Sequence, residues 1–404
     1  MKRHPPIIFV SSRILMLCLL LCLFHACDRK RPGAGESGTH GVTDSEIRIG
    51  SSCALSGHAS FLGTNTIRGA ESYIKELNEE GGIFGRKIRL IVYDDRYDPP
   101  RCVFNTQKLI NEDRIFALFC YVGTPTSVEI LPIVKEARIP LVGLLTGADA
   151  LRRPFSKYIF NIRASYYQEI AAMVKHIVED RKLSRFAVFY QYDAYGLDGL
   201  AGAELALKKY GLEPVAHGSY IRGTMDVEDA LKSIMASHAE VVIMVGTYDP
   251  STKFIKMARA KGFNPIFYNV SFVGGNELAR KLGPDGEGVI VTQVVPSPEA
   301  RALLSEVDKY CRLLEKYYPE DQPTFVGLEG FINAVVLGKA LERAGRDITR
   351  EKFIRALEGM KDLSLGIGLG LNFGPEDHQG FDAVYFTQIR DGKLELVTAW
   401  DSQR

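Results

Sequence analysis

The sequence predicts an α/β protein built from two doubly wound parallel-sheet lobes in series. From residue 45 onward, short β-branched runs alternate with longer amphipathic stretches, and the same alternation restarts after residue 165. Strands separated by helices require right-handed crossovers, which place helices on both faces of a parallel sheet. The chain has 404 residues, and the usual domain size of ~100 to 200 residues also favours two lobes.

The order of the elements follows from this alternation. In the first half, strands are predicted at residues 46–53, 87–93, 115–120 and 139–144, and helices at 67–79 and 101–111. In the second half, strands are predicted at residues 184–190, 241–245 and 266–270, and helices at 172–180, 200–210 and 252–261. After Pro296 come two long helical patterns, at residues 299–317 and 328–344. The second lobe alone does not need these two additional helices, so at least part of this segment is expected to belong to the first lobe.

Charge and motifs exclude several classes of protein. Fifty basic and 49 acidic side chains give a formal charge of +1, so no bulk electrostatic attraction favours a nucleic-acid partner. The chain contains no GxSxG, GxxxxGK[ST], CxxC or HExxH pattern, and its eight histidines include no pair at metal-ligand spacing. We therefore expect no enzymatic activity, no cofactor and no metal.

The N-terminus predicts export. Lys2, Arg3 and Arg13 precede an apolar run at residues 14–24, which is shorter than the ~20 residues of a membrane-spanning helix. Positive charge followed by a short apolar run is typical of a signal peptide, which we place at residues 1–26.

A membrane anchor is predicted at the end of that signal. Ala26 directly before Cys27 resembles the lipobox of bacterial lipoproteins, so we expect lipidation of Cys27; the alternative is ordinary cleavage, with Cys27 left as a plain thiol. Asp28 resembles an inner-membrane retention signal. Residues 28–43 are charged and rich in Gly, Ser and Pro, and such segments have too little apolar surface to fold. Residues 27–44 are thus predicted to be a lipidated tether.

A series of short motifs carries a family resemblance over roughly 350 residues. The motifs are CALSG at 53–57, NEEGGIFG at 78–85, YDDRYDP at 93–99, AYG at 194–196 and YDP at 248–250. In this order and spacing they resemble the leucine/isoleucine/valine-binding protein family, the solute-binding proteins of ABC transporters. The stretches GTPT at 123–126, TGADALR at 146–152 and FNIRASY at 160–166 resemble a second branch of that family.

The resemblance implies a type I periplasmic-binding fold, in which the chain crosses between the lobes three times. Lobe 1 would comprise residues 45–164 and 297–364, and lobe 2 residues 165–296 and 365–404. The implied function is the extracytoplasmic solute-binding component of an ABC importer, with ABC permease subunits as partners and a periplasmic location at the inner membrane. The alternative function is a ligand-sensing subunit for a receptor kinase or chemoreceptor.

The ligand site is expected where the carboxyl ends of the strands of the two sheets face each other, since open parallel sheets bind ligands at that edge. A small amino acid, amide or organic acid is the expected ligand. The candidate ligand-binding residues are Phe61, Leu62, Tyr121, Gly123, Thr124, Thr146, Gly147, Tyr195, Tyr248, Ser271 and Phe272.

Each candidate has a structural alternative. Thr124 or Thr126 could be merely an N-cap, and Thr146 with Gly147 a simple turn. Tyr195 and Tyr248 match aromatic residues that line the family's cleft, whereas their alternative is core packing. Phe61 and Leu62 could be surface loop contacts. Arg163 is expected either to pair across the hinge or to meet an anionic ligand, and His58 to face solvent on its loop.

One departure from the family concerns the ligand's ammonium group. The family places a glutamate after the strand that ends here near residue 270, but this chain has Ser271 and Phe272. An ammonium buried without a carboxylate partner is costly. Either Asp193 or Asp249 replaces the glutamate, or the ligand is not a simple α-amino acid; a small carboxylate or an aromatic acid suits the residues better.

The cysteines allow one predicted disulfide. Cys120 matches half of a disulfide in the leucine/isoleucine/valine-binding protein, whereas the other half falls at Tyr97. The resemblance therefore favours Cys102 as the partner of Cys120. Cys53 is a rival partner, and four free thiols, including Cys311, are the alternative.

Overall fold

The computed structural model describes residues 39–398. The predicted signal peptide, Cys27 and most of the tether lie outside the described residues. Within the described part of the chain, every helix is too short or too polar to cross a membrane.

The described elements alternate along the chain as the sequence predicts. The strands are β1 Glu46–Cys53, β2 Lys87–Asp94, β3 Ala117–Phe119, β4 Leu141–Val142, β5 Ile159–Phe160, β6 Phe186–Gln191, β7 Ala216–Tyr220, β8 Val241–Val245, β9 Ile266–Asn269, β10 Ile290–Gln293, β11 Leu363–Ser364, β12 Gly370–Leu371, β13 Tyr385–Arg390 and β14 Lys393–Leu396. The helices are α1 Ser60–Glu79, α2 Pro99–Asn111, α3 Thr124–Glu129, α4 Leu131–Ala137, α5 Tyr166–Glu179, α6 Ala194–Lys208, α7 Glu228–Ala236, α8 Tyr248–Ala260, α9 Gly275–Leu282, α10 Ser305–Tyr317, α11 Phe325–Ala344 and α12 Arg350–Glu358.

Lobe 1 is built on a parallel sheet in the order β2-β1-β3-β4-β5. Strand β1 is internal, and its Ile49 pairs with Leu90 on one side and Ala117 on the other. Helices cover both faces, so β1 and β3 are almost continuously buried, as expected for a parallel sheet with two covered faces.

Lobe 2 is built on a larger sheet in the order β14-β13-β10-β9-β8-β6-β7. Strands β6 to β10 pair in parallel, whereas β13 and β14 run antiparallel at one edge. The predicted parallel sheet is therefore mixed at this edge. The two added strands are joined by a tight turn with Asp391 and Gly392 at positive φ, and a hairpin can only pair its strands antiparallel.

The helices after the second crossover pack on lobe 1. Helix α11 lies along α1, and α10 also contacts α1. Glycines permit the close approach of α11: a Cβ at Gly69 would lie 1.9 Å from the Gly327 carbonyl oxygen, and one at Gly330 would lie 2.0 Å from that of Thr66.

The chain passes between the two sheets three times, after β5, after β10 and after α12. This confirms the predicted two-lobed fold with three crossovers. Because the strands of both lobes end toward one another, the loops after β1, β2, β3, β4, β6, β8 and β9 meet between the lobes.

Candidate ligand-binding cleft

The loops at the strand ends of the two lobes are in contact. The ring of Phe61, at the start of α1, lies 6.1 Å from that of Tyr248, at the start of α8, in an edge-to-face arrangement. Gly274 of lobe 2 approaches Phe61, Leu62 and Tyr248, since a Cβ placed on it would lie 3.1 to 3.4 Å from their side chains. Three of the predicted residues therefore line the contact between the lobes.

A cluster of hydroxyl groups lies at the lobe 1 edge. The Thr124 and Thr146 hydroxyl oxygens are 2.7 Å apart, and both residues are buried. The N-cap of α3 is Gly123, at φ 98°, while the Thr126 hydroxyl donates to the Val122 carbonyl. Neither threonine is thus an N-cap, and the Thr124 and Thr146 hydroxyls are left to interact with each other.

Tyr166 completes this cluster; it ends the FNIRASY motif, but it was not among the candidate ligand-binding residues because it does not follow a predicted strand end. Its ring packs so closely on the preceding turn that a Cβ at Gly147 would lie 2.6 Å from it. Burial raises the pKa of the Tyr166 phenol, whereas Arg163 and the neighbouring Thr146 hydroxyl lower it. We call Thr124, Thr146 and Tyr166 the hydroxyl cluster.

Aromatic rings form the opposite wall of the cleft. The Tyr195 ring centroid lies 4.8 Å from that of Phe272 and 5.3 Å from that of Tyr166. The Tyr195 hydroxyl donates to the Gly246 carbonyl at 3.3 Å, which fixes the ring at the end of β8. Tyr195 and Phe272, both predicted from the sequence, are therefore held against the hydroxyl cluster.

Tyr97 enters the cleft from lobe 1 on a strained turn. Arg96 and Tyr97 both have positive φ, at 56° and 61°, a conformation that non-glycine residues rarely adopt. Asp94 and Asp95 stabilise it, because their carboxylates accept hydrogen bonds from the Arg96 and Tyr97 amides at 2.9 and 2.8 Å. The Tyr97 ring then covers Gly123, where a Cβ would lie 2.0 Å from the ring. Backbone strain of this kind is concentrated at functional sites.

Tyr121 lies elsewhere. Its hydroxyl is 2.9 Å from that of Thr106 in α2, so the side chain faces the interior of lobe 1 rather than the cleft wall. Successive side chains of an extended segment point to opposite faces of the sheet. The Tyr121 side chain points to the face that α2 covers, and not toward the opposite lobe. In the cleft, Tyr97 takes the place that the sequence suggested for Tyr121.

Ser271 belongs to a buried ionic cluster at the hinge. Its hydroxyl and its amide donate to the Glu169 carboxylate at 3.0 and 2.8 Å, and its hydroxyl also contacts Arg163. Arg163 lies 2.7 Å from Glu169 in lobe 2 and 3.4 Å from Glu329 in lobe 1. Of the two expectations for Arg163, pairing across the hinge is confirmed. Burial raises the pKa of Glu329 to about 7, although Arg163 opposes that rise.

The mouth of the cleft carries further charges. Asp193 accepts hydrogen bonds from the Tyr195 amide and the Gln191 side chain and pairs with Arg222 at 3.3 Å. His58 is partly buried, with its ring 5.5 Å from that of Tyr97. A Cβ at Gly223 of lobe 2 would lie 3.7 Å from the His58 ring, so His58 lies at the lobe interface instead of facing solvent on its loop.

The four cysteines among the described residues are free. Cys53, Cys102, Cys120 and Cys311 are all buried thiols in the structure. The structure does not contain the predicted Cys102–Cys120 disulfide: the Cys120 sulfur accepts from the Asn333 side chain at 3.6 Å, whereas Cys102 neighbours Asp95. Burial and Asp95 raise the pKa of Cys102. A disulfide requires two thiols that point at each other.

Two α/β lobes that meet at their strand ends around hydroxyl groups and aromatic rings define a two-lobed solute-binding protein. The sequence model of the periplasmic binding proteins matches residues 46–393. The chain belongs to the periplasmic binding protein family.

Individual relatives agree with this assignment. The chain is 24% identical to Leu/Ile/Val-binding protein homolog 7 of Brucella abortus (strain 2308), over 87% of this chain and 91% of the relative. A possible leucine/isoleucine/valine-binding protein from Rhodopirellula baltica SH 1 is 34% identical, with a TM-score of 0.83 over 90% of this chain and 98% of that one. A branched chain amino acid ABC transporter from Thermus thermophilus with bound valine shares the fold. It is 20% identical, with a TM-score of 0.79 over 88% of this chain and 96% of that one.

Proposed function

We propose that this protein is the extracytoplasmic solute-binding component of an ABC importer, and that it captures a small amino acid-like or carboxylate ligand between its lobes. The observation that carries the proposal is the hydroxyl cluster, in which Thr124, Thr146 and Tyr166 lie buried where the two lobes meet. Hydroxyl donors suit a carboxylate, and Tyr195 and Phe272 offer apolar contacts to the rest of the ligand. The ligand is bound and released unchanged.

Closure of the lobes is the mechanism that we propose. Lobe 1, at residues 45–164 and 297–364, would make the first contact with the ligand through the Gly123–Thr124 and Thr146–Gly147 turns. Lobe 2, at residues 165–296 and 365–404, would then bring Tyr195, Tyr248 and Phe272 onto it. Because the ligand contacts both lobes only in the closed form, it stabilises that form relative to the open one.

The family and the N-terminus support a periplasmic location and a permease partner. Periplasmic binding proteins present their closed form to a membrane partner, and the Thermus thermophilus protein of the same fold is a branched chain amino acid ABC transporter. Lipidation of Cys27 would keep the protein at the inner membrane beside the permease, with residues 28–43 as the tether.

The test begins with a thermal-shift screen of amino acids, aliphatic acids and aromatic acids. A ligand at a hundredfold its Kd raises the free energy of unfolding by about 2.7 kcal/mol. The protein with a hit from this screen should then stimulate ATP hydrolysis by the reconstituted permease and ATPase in proteoliposomes.

The control is a Thr124→Val, Thr146→Val double variant, which keeps side-chain volume but removes both hydroxyls. It should neither respond to the hit nor stimulate the ATPase. If the wild-type protein binds a ligand but leaves ATP hydrolysis unchanged and instead activates a receptor kinase, the sensing function is correct and import is wrong.

A further inference from the structure

The cleft contains hydroxyl groups whose hydrogens are not donated to any acceptor among the described residues. Thr124 and Thr146 share one hydrogen bond, and the Thr146 oxygen also accepts from the Ala148 amide at 3.3 Å. Whichever threonine donates to the other, one hydroxyl hydrogen remains unused. The Tyr166 hydroxyl is buried near them and has no hydrogen-bond partner within 3.5 Å in the part of the chain that the structure describes. Since buried polar groups are nearly always paired, these donors indicate a ligand that brings acceptors.

The carboxylates on the lobe 1 side of the cleft are already committed to the protein. Asp94 accepts from the amides of Leu55, Ser56 and Arg96 and from the Ser56 hydroxyl. Asp95 is buried and accepts from the Ser52 hydroxyl and the Tyr97 amide. Both acids therefore serve to build the turn that carries Tyr97.

The carboxylates at the mouth on the lobe 2 side are committed as well. Asp193 caps α6 and pairs with Arg222, and its second oxygen also accepts from Gln191 at 2.7 Å. Asp249 lies 2.8 Å from the Lys281 ammonium. Each of the two acids that could replace the family's glutamate therefore already has a cationic partner.

The hinge carboxylates cannot take that role either. Glu169 accepts four hydrogen bonds, from Arg163, Thr292 and the hydroxyl and amide of Ser271. Glu329 has Arg163 beside it, and the cavity that it lines together with Phe272 measures about 10 Å³. In the closed form that volume holds at most one water molecule, and Arg163 is the cationic partner of Glu329.

We propose that the cleft selects an apolar monocarboxylate that lacks an α-ammonium group, with an aromatic or branched body. The carboxylate accepts from the hydroxyl cluster, and the body lies against Tyr195, Phe272 and Tyr97. An α-amino acid is rejected because its ammonium finds no carboxylate among the hydroxyl cluster and the three rings, and a buried charge without an opposite charge is costly. This inference rests on the proposed solute-binding function and names its ligand class.

Matched probes test the inference on the wild-type protein. Isothermal titration calorimetry compares 3-phenylpropanoate with L-phenylalanine and 4-methylpentanoate with L-leucine, pairs that differ only in the ammonium group. In at least one pair the acid should bind with a Kd at least about tenfold lower than that of the amino acid. The neutral amide 3-phenylpropanamide should bind more weakly than its acid.

The outcomes separate this inference from the function on which it rests. If the amino acid of each pair binds as tightly as the acid or more tightly, the inference is wrong while the solute-binding function stands. If no probe binds, the inference is also wrong, and stimulation of the importer by some other ligand shows whether the function survives.

Two single substitutions sharpen the test. Tyr166→Phe should weaken binding of the preferred acid by about tenfold without lowering the melting temperature of the ligand-free protein, because it removes a hydroxyl that has no partner. A lower melting temperature with unchanged affinity would mean that the hydroxyl has a structural role and would contradict the inference.

Phe272→Glu should shift the preference within each pair toward the amino acid, since it supplies an uncommitted carboxylate beside the aromatic wall. Phe272→Leu is its control, because it removes the ring without adding charge and should leave the preference for the acid. An unchanged preference in a folded Phe272→Glu variant would contradict the inference; if that variant fails to fold, the wild-type pairs alone decide.

Discussion

The phenol oxygen of Tyr97 in lobe 1 lies 3.5 Å from the Gln191 amide nitrogen of lobe 2, and both residues are buried. This contact joins the loop after β2 to the end of β6 across the cleft. A hydrogen bond between lobes can form only when they are closed, so it stabilises the closed form and not the open one.

Tyr97→Phe should therefore accelerate ligand dissociation by about two- to tenfold while association stays within about twofold, because a net hydrogen bond contributes about 0.5–1.5 kcal/mol. Stopped-flow kinetics measures both rates. Tyr121→Phe is the matched control: it removes a hydroxyl that contacts Thr106 inside lobe 1, so it should lower the melting temperature and leave the rates unchanged. Equal effects of the two variants on dissociation would contradict the assignment of Tyr97.

Tyr195→Ala should raise the ligand dissociation rate by about ten- to a hundredfold, the consequence of losing a buried aromatic contact of about 1–3 kcal/mol. The ligand-free protein should change little, because the ring faces the opening between the lobes. Calorimetric melting and surface plasmon resonance on the same variant distinguish the two effects. A fall of many degrees in melting temperature with affinity within about twofold would identify Tyr195 as a core residue.

Glu329 should make stability depend on pH. Its pKa rises from an ordinary value of 4.5 to about 7 in the folded protein, through burial and Glu169 and against Arg163 and Arg152. The folded state thus holds the proton more tightly than the unfolded state, and stability falls as pH rises between these two values. Relative to the wild-type protein, Glu329→Gln should become more stable across that window, by about 1–3 kcal/mol.

Urea unfolding at several pH values from about 4.5 to about 8 measures this difference. Asp95 and Asp198 also have pKa values raised to about 6, but their contributions cancel when the variant is compared with the wild-type protein. A difference that stays constant over the range would contradict the raised pKa of Glu329.

Cys27→Ser should release the protein from the membrane fraction if Cys27 carries the lipid anchor. Fractionation followed by immunoblotting gives the distribution. Cys311→Ser, at a buried thiol remote from the N-terminus in sequence, is the control and should stay with the membranes. Unchanged partitioning of Cys27→Ser would contradict the anchor.

The spacing of apolar residues correctly predicted those helices and strands whose buried residues follow the same spacing. Strand β1 was predicted at residues 46–53 and is observed there, because Ile47 and Ile49 are buried and both faces of its second half are covered. Helix α1 begins at Ser60 instead of residue 67, since its first two turns, with Phe61 and Leu62, face the opposite lobe as well as their own. Strands β7 and β10 had no distinct pattern in the sequence.

The cleft was only partly predictable. The rule that ligands meet parallel strands at their carboxyl ends selected Thr124, Thr146, Tyr195 and Phe272, which the structure brings together between the lobes. The same rule does not predict the direction of the Tyr121 side chain. It also does not apply to Tyr166, which lies in the first crossover and not at a strand end.

By itself, the sequence determined the alternation of elements, the two-lobed fold and the strand ends that face the cleft, because these depend on local periodicity and on motifs contiguous in the chain. The tertiary structure alone decided that Tyr97 enters the cleft on a left-handed turn held by Asp94 and Asp95. It also decided that Ser271 joins Arg163 and Glu169 at the hinge. Such contacts depend on partners far apart in the sequence, and their hydrogen bonds form only once the two sheets are in place.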